Sequence, residues 1–479
     1  MIIAARRATV ALCAAACLSC TPVVSASDQI DFSVPTEKQA AKLQNEPKDS
    51  RSAKIRDVIR ACEAIAATLD TSDPVVRRVL PRLRQKLGWL YEEYNAVDGR
   101  DYSAPNHSID KALQWIAEYD LKRALSLLAQ KKDPGSVRRG KQPSGALLEI
   151  DRRERFLASW DLHIPSGYDR EKKWPLIICF QTSMNAKQVG EAGYFLCQSF
   201  QRGMPRSSIH LGHLMVAMIR ETAADYSIDL DRVYLTGFST GGATSFVYAY
   251  RFSDLIAAVA PVCPAAEWRD GGTRHAHNVA TLVMYGTGDG WTRKGAEPII
   301  KRLKKSGHPN WEEYPFDAGH TSKPVLVDDT SRILEFFSKH RRDPHPKKVW
   351  KWVEHKRWSS AYWLMVKLRK DGKCQGGVVA EVKPGNVVDI SSTEDIAAVA
   401  LYLDEHLVDA NAPVKVVANG VPRYEGPVKP ELYVEILDDH EPYWQDRVIT
   451  GLNPYWVRGR AWPRPKETLE RPAWLAATP

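Results

Sequence analysis

From Ser52 onward, apolar residues recur at three- and four-residue spacing: Ile55, Val58, Ile59, Cys62, Ile65, Ala66 and Leu69. That is the pattern of a helix with one buried face. Asp73-Pro74 then offers an N-cap side chain followed by a proline at the first helical position, which opens a second helix. Its apolar face is Val76, Val79, Leu80, Leu83, Leu87 and Leu90. Pro81 is expected to kink or delay it, because proline lacks the N–H that a helix interior uses. Two further helical runs are expected at 108–119 and 121–131, before Pro134-Gly135 breaks the pattern. No chemical motif falls in this lead, which reads as a helical cover for the domain that follows.

From Gly145 the period becomes two. Residues 146–150 and 156–164 alternate as the strands of a hairpin that ends at Pro165-Ser166-Gly167-Tyr168. Residues 175–180 are apolar without interruption, the mark of a strand buried on both faces of a parallel sheet. A weaker strand at 194–197 and a helix at 210–226 follow. A helix end at 229–231 is then expected to pass into a short apolar strand at 233–235. Two more buried strands are expected at 255–263 and 281–285, and helices at 296–306 and 330–337. Strands alternating with helices from 175 to 340 predict a doubly wound α/β domain.

After His340 the texture changes again. Short alternating runs at 349–353, 362–368, 378–382, 387–390, 397–403, 414–417 and 432–436 are divided by Gly, Pro, Asn and Asp. Such spacing predicts an antiparallel β-sandwich. Residues 341–479 carry eight of the fifteen tryptophans, Trp350, Trp352, Trp358 and Trp363 among them. They read first as filling the sandwich core and its contact with the α/β domain, and second as an aromatic platform for a sugar polymer.

At 479 residues the chain exceeds one ordinary domain. The patterns divide it into 1–26, a signal peptide; 27–144, a helical segment; 145–340, the α/β domain; and 341–479, a β-rich domain. Arg6-Arg7 precede the apolar run 8–18, and Val24-Ser25-Ala26 offers a small-residue cleavage site, so export to the periplasm or beyond is expected. Cys17 and Cys20 follow small residues, which leaves a lipid anchor as an alternative. The apolar run is too short to span a bilayer, and no integral membrane span is expected elsewhere. The net charge of +9 is spread along the chain. It suits an acidic polymer as substrate, and its mild cluster at 131–141 reads as a solvated linker rather than a nucleic-acid surface. Beyond the signal, Cys62, Cys179, Cys197, Cys263 and Cys374 are scattered and odd in number. That is neither a disulfide framework nor a metal-binding spacing. Cys179, Cys197 and Cys263 fall in apolar runs and read as small buried thiols.

The candidate chemistry centres on Gly237-Phe238-Ser239-Thr240-Gly241, which has the spacing of a nucleophile elbow between a strand and a helix. A serine on so sharp a turn sits in strained backbone, and its neighbours at minus two and plus two must lack side chains. The amide of Thr240, at the start of the helix, then points where an oxyanion would form. An activated serine needs a base, and the base an orienting carboxylate. Asp289 follows the strand at 281–285 on a Gly-rich loop, and His320 follows a short strand at 311–314, so Ser239, Asp289 and His320 are expected to form a triad. Asp317 is a rival acid, and His163, His210 and His213 read as structural.

Residues 160–340 resemble the α/β-hydrolase superfamily. They are most similar to secreted polyhydroxybutyrate-depolymerase-like and feruloyl-esterase-like enzymes and to the prolyl oligopeptidase catalytic domain. The words that carry the resemblance are 164–168, 175–177, 228–242, 285–289 and Gly319-His320. It implies Ser239 as nucleophile, His320 as general base and Asp289 as orienting acid, with no metal or cofactor. One departure stands out. Such enzymes usually follow the first buried strand with a His-Gly-rich loop that gives the second oxyanion N–H, whereas this chain has Gln181-Thr182-Ser183. A backbone N–H can come from any residue but proline, so Thr182 or Ser183 can supply it.

The expected activity is cleavage of carboxylic esters, on a small ester or on an ester attached to a polymer or polysaccharide. Two alternatives remain: a prolyl-oligopeptidase-like peptidase, although about a hundred helical residues replace that family's propeller, and a non-catalytic binding protein built on a retired hydrolase fold.

Overall fold

The computed structural model describes residues 50–96, 115–151, 154–199, 208–265, 277–290, 293–353, 359–369, 375–429 and 431–436. The expected signal peptide, the run 108–114, Trp358 and Cys374 lie outside the described residues.

Helix α1 (Ser50–Thr68) and helix α2 (Pro74–Ala96) pack with a π-helix (Trp115–Leu121) and α3 (Lys122–Ala129). The expected apolar faces meet in one core, where Cys62, Leu80, Leu83, Leu87 and Leu125 are fully buried. Asp73 caps α2 as expected: its Oδ1 accepts the amides of Val75 at 2.7 Å and Val76 at 3.2 Å. Pro81 does not delay the helix, which starts at Pro74 and is continuous to Ala96.

A short turn of helix, α4 (Pro134–Val137), leads into the hairpin β1 (Gly140–Asp151) and β2 (Glu154–Ile164). The first strand starts five residues ahead of Gly145, because Gly140 turns the chain at φ +66° and pairs with Ile164. There follow β3 (Trp174–Phe180), α5 (Ala186–Glu191), β4 (Phe195–Ser199), α6 (Ser208–Asp225), β5 (Ile228–Phe238) and α7 (Thr240–Arg251). Then come β6 (Ala258–Val262), β7 (Ala280–Gly286), α8 (Arg293–Ser306), β8 (Trp311–Phe316), a second π-helix (Lys323–Asp328) and α9 (Ser331–Ser338).

These strands form one eight-stranded sheet in the order β1-β2-β4-β3-β5-β6-β7-β8, with every pair from β4 to β8 parallel. This is the doubly wound α/β sheet that the alternation of strands and helices predicts. Each buried strand feeds two cores: Leu176, Ile178 and Phe180 of β3 face one, Ile177 and Cys179 the other. That is why these strands are apolar at consecutive positions.

The expected helix end at 229–231 is instead the first part of β5. Its acids serve as ion-pair anchors there. The Asp229 carboxylate accepts the Asp231 amide at 3.1 Å, Arg232 Nε at 2.7 Å and Arg341 Nη1 at 2.7 Å.

The described residues of the C-terminal part form nine strands where seven were expected: β9 (Lys348–Val353), β10 (Ser360–Ala361), β11 (Leu364–Leu368), β12 (Gly376–Lys383), β13 (Val387–Ser392), β14 (Ile396–Leu401), β15 (Val414–Ala418), β16 (Val421–Gly426) and β17 (Leu432–Glu435). They make two sheets, β10-β11-β14-β17 and β16-β15-β13-β12-β9, whose inner faces share one apolar core. One pairing departs from an all-antiparallel sandwich: β13 and β15 run parallel. Between them the chain crosses to β14 in the other sheet, so no tight hairpin forces them antiparallel. Trp363 is buried with its Nε1–H on the Pro346 carbonyl at 2.7 Å, and Trp350 stacks on His277 at 4.7 Å.

Candidate active site

β5 ends at Phe238 and α7 begins at Thr240, so Ser239 alone forms the turn. Its φ of 54° lies in the left-handed region that a residue with a side chain rarely adopts. Such a conformation persists only where its surroundings over-determine it, and here three contacts do so. The Ser239 amide donates to the Val262 carbonyl at 3.0 Å, and its own carbonyl accepts the amides of Ala243 at 2.9 Å and Ala265 at 3.0 Å. The two elbow glycines are required by contact. A Cβ on Gly237 would stand 2.6 Å from the Gly241 backbone, and one on Gly241 would stand 2.1 Å from the Phe180 carbonyl oxygen. Strand, turn, helix and the end of β3 are thus packed backbone to backbone.

Asp289 and His320 stand on the loops after β7 and β8. His320 Nε2 lies 3.2 Å from Ser239 Oγ, and its Nδ1 lies 2.9 Å from Asp289 Oδ2. The carboxylate side chain is 1% exposed and the imidazole 35% exposed. The acid is therefore shielded while the ring stays open to solvent on its serine side. The Phe238 ring, 4.6 Å from the imidazole between centroids, packs against it. The rival Asp317 is exposed, and Asp289 holds the Nδ1 position. His213 is buried on α6 and His163 is half-buried on β2, where burial pushes its pKa down.

The loop after β3 folds beside the elbow. Gln181 turns at φ 57°, its amide donates to the Ser199 carbonyl at 3.0 Å, and its side-chain Oε1 accepts the Thr240 hydroxyl. Thr182 Oγ1 lies 3.2 Å from Ser322 Oγ, which ties this loop to the one that carries His320. Among the described residues, no acceptor takes the amide N–H of Thr182 or Ser183. The contact of the Gln181 side chain with Thr240, and the nearness of Cys263 to Asp289 and His320, are what sequence reasoning did not anticipate; Cys263 is the small buried thiol it expected. Cys263 stands at φ 41° just past β6, buried, with its thiol 3.8 Å from the Thr321 carbonyl. Its place after a buried strand, level with the elbow, was the signal available for it.

Fold and site together define a doubly wound α/β protein with a serine, histidine and aspartate in series at the sheet's carboxyl edge. Comparisons with protein-family descriptions and with curated proteins find no match. Solved structures similar in fold to part of the chain include Porphyromonas gingivalis dipeptidyl peptidase 4, at 12% identity and a TM-score of 0.35 over 42% of this chain and 36% of that one. A thermostable esterase is similar at 17% identity and a TM-score of 0.33, over 42% of this chain and 63% of that one. A ferulic acid esterase from Anaeromyces mucronatus, solved with ferulic acid, is similar at 16% identity and a TM-score of 0.33, over 43% of this chain and 92% of that one. The similarity spans little more than a third of the peptidase's length. No described helix is long and apolar enough to cross a membrane.

Proposed function

We propose that this chain is an exported serine hydrolase that cleaves carboxylic esters through an acyl-enzyme. The observation that carries the reading is the unbroken series of hydrogen-bond distances from Ser239 through His320 to the shielded Asp289. His320 Nε2 takes the Ser239 proton as Oγ attacks the ester carbonyl, and the resulting imidazolium gives that proton to the departing alcohol. Asp289 keeps Nδ1 protonated and so presents Nε2 as the base. The amide of Thr240 and one from the Thr182–Ser183 segment stabilise the oxyanion. Water then enters on the same base and releases the acid. The free amides of that segment favour a working oxyanion hole over a retired site. The substrate is a small ester or one attached to a polymer or polysaccharide, and no cofactor takes part in these steps.

Labelling with a fluorophosphonate probe tests the nucleophile. Modification at Ser239 is expected in the parent protein, and none in Ser239→Ala or His320→Ala. An unlabelled, well-folded parent, or a Ser239→Ala variant with parental esterase rates, would sink the proposal. Hydrolysis of peptidyl-prolyl amides at rates rivalling esters would move the reading to a peptidase.

A further inference from the structure

Asp289 and His320 also belong to a donor set that includes Cys263. Cys263, Asp289 and His320 each offer one ligand atom, and the three atoms lie within 4.8 Å of one another. They come from three different strand ends, after β6, β7 and β8, so the sheet edge itself holds them together. Thiolate, carboxylate and imidazole are the ligand types of a zinc site with one open position. Tetrahedral bond lengths of about 2.0–2.3 Å place such ligand atoms roughly 3.3–3.7 Å apart. The cluster therefore has to contract by no more than about 1.5 Å at any pair. His320, on a loop and 35% exposed, is the member with room to do so.

We infer that Cys263, Asp289 and His320 form an inhibitory site for a thiophilic divalent cation, with zinc as the fitting ion, that switches the triad off reversibly. Binding exchanges the thiol proton for the metal and releases that proton to solvent. Whichever ring nitrogen of His320 binds, the triad is broken. Metal on Nδ1 takes the place of the hydrogen bond to Asp289, and metal on Nε2 removes the base from Ser239. The fourth position of the metal is left for water. Cys263 has no part in the proposed ester chemistry, so its thiol sets metal sensitivity apart from turnover. The inhibitory consequence rests on the catalytic reading of Ser239 and His320, whereas the binding site does not.

The test separates the two. Ser239→Ala protein, which retains all three ligands, is titrated with Co2+ and read by the near-ultraviolet thiolate-to-cobalt absorption. A saturable band is expected, and it should vanish in the Ser239→Ala/Cys263→Ser double variant. Absence of the band in folded Ser239→Ala protein would overturn the site whatever the enzyme's activity. In the otherwise native chain, Zn2+ should inhibit ester hydrolysis and EDTA should restore it. The half-inhibiting Zn2+ concentration should rise at least about tenfold in Cys263→Ser, since losing even an outer-shell partner of a metal ligand costs about 10–100-fold in affinity and Cys263 is a ligand itself. An unchanged half-inhibiting concentration would also overturn the proposal. Cys263→Ala offers a second replacement, compared in the same way.

Discussion

Gly241→Ala probes the elbow at its tightest point. The added Cβ would stand 2.1 Å from the Phe180 carbonyl oxygen and 2.9 Å from its carbonyl carbon. Real Cβ contacts essentially never fall below 3.0 Å, so helix and strand end must separate by at least 3.0 − 2.1 = 0.9 Å. The obstacle is backbone on both sides, and no side chain can rotate out of the way. The amide of Thr240 sits at the first position of the same helix and is carried with it, while the Phe180 side leads directly into the Gln181–Ser183 loop. Both proposed oxyanion donors are therefore disturbed by one methyl group. A misplacement of about 1 Å costs on the order of a hundredfold in rate. Loss of a single oxyanion donor costs about 3–4 kcal/mol.

The expected outcome is a fall of about a hundredfold or more in kcat/KM for an aryl ester, and a comparable fall in the second-order rate of fluorophosphonate labelling. Far-ultraviolet circular dichroism and a thermal melt establish the folded fraction, to which rates are normalised. Gly319→Ala is the matched control. It adjoins His320 in sequence, yet a Cβ there meets nothing within 4 Å. Its rates should stay within about twofold of the parent, as for a substitution that touches nothing. If Gly241→Ala kept kcat/KM within threefold of the parent, the close approach of α7 to β3 would not be what positions the donors.

Two further predictions concern the joints around the α/β sheet. Asp120→Asn removes a buried carboxylate that accepts Lys86 Nζ at 2.6 Å and Arg138 Nη1 at 3.0 Å, and should lower stability at pH 7 by about 3–5 kcal/mol in urea unfolding. Burial alone would raise the Asp120 pKa, but the Lys86 and Arg138 cations outweigh it and hold it at about 2. A depressed folded-state pKa means its share of stability is complete well above the ordinary value of 3.8 and is lost as pH falls through about 2. The gap between parent and variant should accordingly narrow by about 2 kcal/mol between pH 6 and pH 2, and a constant gap would contradict the assignment. Asn278→Ala should lower the melting temperature by the equivalent of about 1–3 kcal/mol, since Nδ2 donates to the Lys348 carbonyl at 2.9 Å and Oδ1 accepts the Trp350 amide at 3.0 Å. A melt unchanged by that substitution would mean that β9 is held to the α/β sheet by other contacts.

What the sequence made legible follows from what chemistry and periodicity force. The elbow demands glycines on both sides of Ser239, and the order of Ser239, Asp289 and His320 places each residue at a strand end, so spacing alone brought these three together. The N-terminal helices were legible because their apolar faces repeat at helical spacing, and Asp73 was legible as a cap. The start of β5 was not. Asp229 and Asp231 look like a helix end until Arg232, Arg341 and Arg342 are seen to pair with them. Nor did any local signal mark Lys86, Asp120 and Arg138 as buried, because their partners are 34 and 18 residues apart and meet only after α2 packs. The positive φ of Gln181 and of Cys263 is likewise set by tertiary contact, at residue types that give no hint of it.

The three parts of the chain have separate apolar cores, and several of the contacts that join them are polar. Arg82 pairs with Glu221 and Asp225 on α6, and Lys86 approaches Glu221 at 3.4 Å. From the β-rich part, Lys351 Nζ donates to the Arg251 carbonyl at the end of α7, and Tyr362 Oη donates to the Ser253 carbonyl at 2.7 Å. Buried charges and polar groups recover little net free energy over their desolvation, but they are costly to leave unpaired, so they fix one docking geometry. The elements they fix are the two that matter to Ser239. α6 leads into β5, which delivers the serine, and α7 carries the amide beside it. Arg341 and Arg342 add a third tie at the base of β5, through Asp229 and Asp231. A serine held at φ 54° needs surroundings that resist relaxation. The helical lead makes its ties to α6 and the β-rich part makes its ties at the end of α7, and neither supplies Ser239, Asp289 or His320.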